Sequence, residues 1–257
     1  MKAYLDYLKE KYETKDFIKD DPIQFPHLFK SDIKNLEIMA FIASIFAFGK
    51  REAFISKLNT LLEIMNHNPY EFILNFDKNE DKLNGLIYRF YKDSDIKAFM
   101  FVLSEILKSG MTIGDFFYEN RSKNTKDIIQ KLFNRFNESK FNPKTQGFSF
   151  MMSNPEKGGA NKRMNMFLRW MVRKGPVDFG VWDFIETEDL IIPLDVHAGN
   201  VSRSLKLLDR KQNDFISAWK LTEKLKEFNP KDPVSYDFAL FGAGVNKDNL
   251  QVLINYK

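Results

Sequence analysis

Apolar residues recur every three to four positions through most of this chain, and runs alternating apolar with polar residues between turn formers are scarce. That pattern predicts helices rather than strands. Residues 1–15 read as a first helix, stopped by DDPIQFPHLF, where Pro22 and Pro26 oppose continuation. LEIMAFIASIFAFG is apolar on nearly every side, as suits a helix at the centre of a bundle, and Gly49 closes it. The amphipathic REAFISKLNTLLEIMNH follows and ends before Asn68-Pro69. Further helices are predicted over 81–91, 95–109, 112–119 and 124–137, then 161–174, 196–208, 213–228 and 233–243, joined by mostly short connections. The expected fold class is all-α. Between Asn137 and Gly159 the composition turns to Asn, Ser, Pro, Lys and Gly, so residues 1–257 are expected to form one helical unit of two lobes with the boundary at 137–160. A loop-rich insertion precedes Leu194.

Composition narrows the chemistry mostly by exclusion. The 257 residues contain no cysteine, which removes disulfides, thiolate zinc sites, cysteine-held iron–sulfur clusters and cysteine nucleophiles. His27, His67 and His197 lie far apart and fit no H-E-x-x-H spacing, so no metal and no cofactor are expected. A net charge of +4 is compatible with a polyanionic partner but is too mild to point to one. The 26 phenylalanines suit packed helices. No apolar run reaches membrane-spanning length, and the opening MKAYLDYLKEKYETK lacks the apolar core of a signal peptide, so a cytoplasmic protein with no membrane contact is expected.

Two segments carry candidate chemistry. In PEKGGANKRMNMFLRWMVRKG a glycine turn runs directly into a helix. Met164, Phe167, Leu168 and Met171 follow the i, i+3, i+4, i+7 rule and should face the core, leaving Lys162, Arg169 and Arg173 with Met166 on the other side. Turn glycines before a helix let backbone N–H groups approach an anion; the same residues also read as a solvated basic face behind an ordinary loop. In IIPLDVHAGNVSRSLKLL, Asp195 is placed to cap a helix whose apolar side is Val201, Leu205 and Leu208. Gly199 inside that helix costs about 1 kcal/mol relative to Ala, which close approach of another backbone would offset. Read alone, Asp195 caps and His197 packs. A third segment, FNPKDPVSYDFALFGAGV, has Asp232 and Pro233 in N-cap and N1 positions and reads as a tightly packed core helix; no strand precedes Gly242 and Gly244, and no phosphate-binding Lys-Ser follows.

The order of these pieces resembles the helix-hairpin-helix DNA glycosylase superfamily, which includes endonuclease III and the archaeal 8-oxoguanine DNA glycosylases. GGANKRMNMFLR is similar to the hairpin and following helix, and PLDVHAGNVSRSL to the aspartate motif. FIASIFAFGKREAFISKLNTLL and DPVSYDFALFGAGV resemble the family's apolar helix pair and late packing helix, extending the likeness from residue 36 to residue 246 with gaps. DPIQFPHLF and YDFALFGAGV also resemble an uncharacterised bacterial family, a domain of unknown function. The glycosylase resemblance implies a helical bundle of two lobes with a cleft between them, segment 1–30 packing back on the other lobe. It implies double-stranded DNA as partner and no protein partner.

By that resemblance Lys162 is the nucleophile and Asp195 the catalytic carboxylate of a base-excision glycosylase with abasic-site lyase activity. Lys157, Gly158, Gly159, Arg163, His197 and Arg203 would contact DNA, and Trp170, Trp182 and Phe184 would receive an everted base. The chain departs from the family where its polar wedge position falls on Gly49, where the third hairpin position is Ala160, and where KGPVDFGVWDFIETEDLII separates Lys162 from Asp195. A non-catalytic helix-hairpin-helix nucleic-acid-binding protein and a helical protein-interaction scaffold fit the same residues.

Overall fold

The computed structural model describes residues 1–248, so the last nine residues of the expected 1–257 unit lie outside the described residues. Every regular element among the described residues is helical. In chain order they are α1 (Lys2–Tyr12), α2 (Lys15–Ile18), α3 (Gln24–His27), α4 (Ile33–Phe46), α5 (Arg51–Ile64), α6 (Pro69–Leu74), α7 (Phe76–Asn79), α8 (Asp93–Lys108), α9 (Ile113–Glu119) and α10 (Thr125–Asn137). These are followed by α11 (Gln146–Met151), α12 (Lys162–Val172), α13 (Val196–Ser204), α14 (Phe215–Lys226) and α15 (Asp237–Val245). The chain divides into two compact units, one of Asp20–Ser122 with Lys126–Asn154, the other of Met1–Lys19, Lys123–Thr125 and the chain from Pro155 onward.

The first of these units is organised by α4. Asp32 starts that helix by accepting from the Asn35 N–H at 3.2 Å, and every residue from Asn35 to Phe46 is buried. Phe41 meets Phe99 of α8 and Phe136 of α10 at ring separations of 5.5 and 6.2 Å. The one carboxylate on this apolar helix, Glu37, is buried and accepts from the Gly114 N–H in the first turn of α9 at 3.0 Å, which satisfies a helix-end donor as well as the acid.

The expected helix over 81–91 does not form. Glu80–Leu83 is a 3-10 turn, and Tyr88 and Tyr91 then close a tight turn through mutual backbone hydrogen bonds of 3.0 and 2.8 Å. Gly85 at φ +71° and Arg89 at φ +54° occupy the left-handed region, which no right-handed helix can pass through. The Asp93 carboxylate accepts from the Gly85 N–H at 2.9 Å and holds the break in place.

In the second unit α15 is the central element, packed against α1 and α13. A Cβ at Gly242 would fall inside the Tyr12 ring of α1, and one at Gly244 would lie 2.9 Å from the His197 Cβ of α13. The glycines of this helix are thus points of close helix approach. Pro233–Tyr236 forms a 3-10 turn leading into α15, with Asp232 and Pro233 in the expected N-cap and N1 positions; the Asp232 carboxylate makes no cap hydrogen bond and is bound to Arg173.

Candidate functional site

The glycine hairpin and the start of α12 form one rigid feature. Gly158 has φ +79°, its carbonyl accepts from the Phe215 N–H at 2.9 Å, and Gly159 bridges to Asp214, which ties the hairpin to the N-terminal end of α14. Asn161 and Asn165 donate through their amides to the carbonyls of Gly159 and Ala160 at 3.1 and 3.0 Å. The exposed residues of this feature are Glu156, Lys157, Gly158 and Gly159, while Arg163 is half-buried. Lys162 is the first residue of α12 and half-buried. Its Nζ lies 3.5 Å from the Met166 Sδ and joins no ion pair among the described residues.

Asp195 caps α13 as expected from the sequence, accepting from the Ala198 N–H at 2.8 Å. Its backbone carbonyl accepts from the Asn213 amide at 3.1 Å. Where Lys162 and Asp195 meet electrostatically is Asp237, the buried first residue of α15. Burial pushes the Asp237 carboxyl up to about 6; its ion pair with Arg169 opposes that rise, the Asp195 charge adds to it and the Lys162 charge subtracts from it. The two residues, 33 positions apart in sequence, therefore act on a single carboxyl group.

Behind this pair lies a closed network. Arg169 and Arg173 are each 3% exposed, so the second side of α12 is neither a solvated basic face nor a phosphate-binding one. Arg169 pairs with Asp237 and, at 3.2 Å, with Asp178. Arg173 pairs with Asp178 at 2.8 Å, Glu13 of α1 at 2.7 Å and Asp232 at 2.8 Å. Both guanidinium groups lie over the Phe238 ring, at 4.3 and 5.5 Å from its centroid. Burial pushes the Asp178 carboxyl above the ordinary aspartate range, against the pull of Arg169 and Arg173. Asp178 belongs to the loop-rich insertion, which is strapped to the end of α12 as the Phe179 and Trp182 N–H groups donate to the Trp170 and Met171 carbonyls at 2.8 and 2.9 Å.

With this geometry in view, residues 21–246 match the model of a family described as a protein of unknown function, DUF2400. The chain belongs to this family. No curated protein and no solved structure matches it. The matched span of this DUF2400 chain takes in the hairpin, α12, α13 and α15, and leaves only Glu13 of the buried network outside it. Among the described residues no three His, Asp or Glu side chains are grouped to hold a metal ion, and no helix is long and apolar enough to cross a membrane.

Several expected contact residues sit elsewhere than a DNA-facing surface requires. Arg203 is engaged by the loop after α13, donating to the Arg210 carbonyl at 2.6 Å, the Gln212 carbonyl at 3.3 Å and the Asn213 side chain at 2.5 Å. These bonds make it a clamp on that loop. The same clamp explains Gly199: a Cβ there would lie 2.6 Å from the Asn213 Oδ1 and 2.9 Å from the Arg203 Nη1, so side chains, not the expected backbone, approach it. We expect Arg203→Gln to cost about 2 kcal/mol in urea unfolding, from loss of charged hydrogen bonds, with the salt dependence of any duplex binding unchanged. A salt slope reduced by one charge would show that Arg203 touches phosphate after all.

His197 is exposed, its ring edge-on to Phe241 at 6.0 Å. Trp170 is wholly enclosed in the core and cannot receive a base. Trp182 is buried against Phe167 at 5.4 Å, and Phe184, stacked on Trp182 at 5.4 Å, is the one of the three expected pocket residues with appreciable exposure. No motif in the sequence singles out Asp178 or Asp237. Each left a faint signal, an acid set among apolar neighbours in GPVDFGVW and YDFALFG.

Proposed function

We propose that this DUF2400 protein is a DNA-repair glycosylase with abasic-site lyase activity, using Lys162 as nucleophile and Asp195 as the assisting carboxylate on double-stranded DNA. The observation that carries the reading is an exposed glycine hairpin that opens directly into Lys162, in the same compact unit as the helix-capping carboxylate Asp195. Exposed backbone at Gly158 and Gly159, with Lys157 beside it, suits a sugar–phosphate strand. Attack needs the lone pair of the lysine amine, and the Lys162 Nζ joins no ion pair among the described residues.

In the reaction the Lys162 Nζ bonds to the sugar C1′ as the base departs with the electrons of the glycosidic bond and takes up a proton. Opening of the sugar ring, with the ring oxygen leaving as a hydroxyl, then gives the iminium. Asp195, in its capping position, stabilises positive charge developing at C1′. Borohydride reduces that iminium to a stable secondary amine, which makes the test direct. Incubation with an abasic-site duplex and borohydride should yield a covalent protein–DNA adduct, lost in Lys162→Ala and reduced at least about a hundredfold in rate in Asp195→Asn. No adduct with wild type, or an undiminished one with Lys162→Ala, rejects the lyase. Gly49 at the expected wedge position favours a second reading, a binding protein without catalysis, whose signature is salt-sensitive duplex affinity with no adduct.

A further inference from the structure

Outside the Lys162 region, the turn that replaces the expected helix 81–91 builds an aromatic surface in the unit centred on α4. Phe48 sits at its middle, with ring centroids of Tyr88 and Tyr91 at 4.9 Å, Phe150 at 5.0 Å and Phe90 at 5.4 Å. The tyrosines anchor it: both rings are buried, and their hydroxyls donate to the carbonyls of Phe48 and Ile45. Phe90 and Phe150 meet edge to face at 4.8 Å, yet they remain 40% and 37% exposed, beside Ile87 at 57%. Fixed, partly exposed aromatic rings are expensive to leave in water without a ligand.

Arg89 marks the same place. It lies at the tip of the turn with φ +54°, a conformation that glycine adopts freely and an arginine does not. Its guanidinium is 5.7 Å from the centroid of Phe48, over Gly49, where a Cβ would come within 2.9 Å of Nη1. Exposed Lys50 follows Gly49 and exposed Lys92 lies three positions after Arg89, and none of the three cations joins an ion pair among the described residues. The neighbouring acids are engaged by the backbone: Asp93 accepts from the N–H groups of Gly85 and Ser94, and Asp95 from that of Lys92. Partly exposed rings beside cations that join no ion pair fit a planar base joined to a phosphate.

We propose that Phe90, Phe150 and Arg89 form a binding platform for an unpaired nucleobase of a nucleic-acid strand, the base stacking on Phe90 and meeting Phe150 edge-on, with Arg89 meeting the adjoining phosphate. The platform takes its ligand class from the nucleic-acid reading but needs no chemistry at Lys162. Fluorescence titration of the full chain with a 2-aminopurine oligodeoxynucleotide, single-stranded and in an abasic-site duplex, tests it. Phe90→Ala should weaken binding about tenfold and reduce the quenching of 2-aminopurine on binding. Arg89→Gly should weaken binding and lower the salt slope by about one charge, while its melting temperature holds or rises because glycine tolerates the backbone conformation. Wild-type affinity and quenching in both variants overturn the platform, even where the borohydride adduct at Lys162 forms. Loss of binding in both variants with no adduct in wild type supports the platform and overturns the lyase alone. No oligonucleotide binding by wild type overturns both, and assigns the aromatic surface to something other than nucleic acid.

Discussion

Arg169→Leu should lower the stability of the protein by about 3–5 kcal/mol, the cost typical of removing one partner from a buried ion pair. Arg169 stands between Asp178 and Asp237, all three with almost no exposed surface. Asp178 would keep Arg173, but Asp237 would lose its ion-pair partner in a site closed to water. The loss should be visible as a lower urea midpoint with an unchanged slope. The double variant Arg169→Leu, Asp237→Leu should recover much of it, because replacing both members of a buried pair with apolar groups is often neutral. A single variant less than 1 kcal/mol below wild type would mean that water reaches the Asp237 carboxylate, and the closed network described here would be wrong.

That network also shows where sequence reading reached its limit. Met164, Phe167, Leu168 and Met171 are buried as their spacing requires, because burial of a helix face leaves a local period. Arg169 and Arg173 sit on the same helix, and nothing local distinguishes an arginine facing water from one facing a carboxylate. Their partners are supplied from far along the chain, Asp237 lying 68 positions away from Arg169 and Glu13 160 positions from Arg173. The Asp195 cap was legible for the opposite reason: its acceptor and the Ala198 N–H are three residues apart.

The segment 81–91 misled through its composition. Leu83, Leu86 and Tyr91 are buried at i, i+3 and i+8, spacings that one face of a helix would also bury, while Tyr88, two positions from Leu86, is buried off that face. Gly85 was a visible warning; Arg89 in the left-handed region had no counterpart in the sequence. Of the candidate site, the glycine turn into α12 and the Asp195 cap follow from the residues themselves, whereas the roles of Lys162 and Asp195 are what the family resemblance implies. Asp237, paired with Arg169 from 68 positions away, and the loop clamp of Arg203 are marked by no local spacing.

Asp237 gives the candidate site a measurable dependence on pH. With its carboxyl at about 6 in the folded protein and 3.8 as the ordinary value, the native state holds a proton over a range in which the unfolded chain releases it. Stability from this group accordingly increases as pH falls through 6, is complete below 4, and is absent above the folded value. The displacement corresponds to about 3 kcal/mol. Other carboxylates contribute in the opposite sense, among them Asp32, held low by Asn35, so the informative quantity is the difference between wild type and Asp237→Asn. Urea unfolding of both from pH 8 to pH 4 should show the wild type gaining about 3 kcal/mol on the variant. Asn keeps an oxygen for Arg169 and cannot titrate, which separates the charge from the hydrogen bond. Parallel curves would mean that Asp237 is ionised throughout, with Arg169 outweighing burial. Lys162 and Asp195 would then face a permanent anion, whereas protonation of Asp237 below pH 6 removes a negative charge from beside both at once.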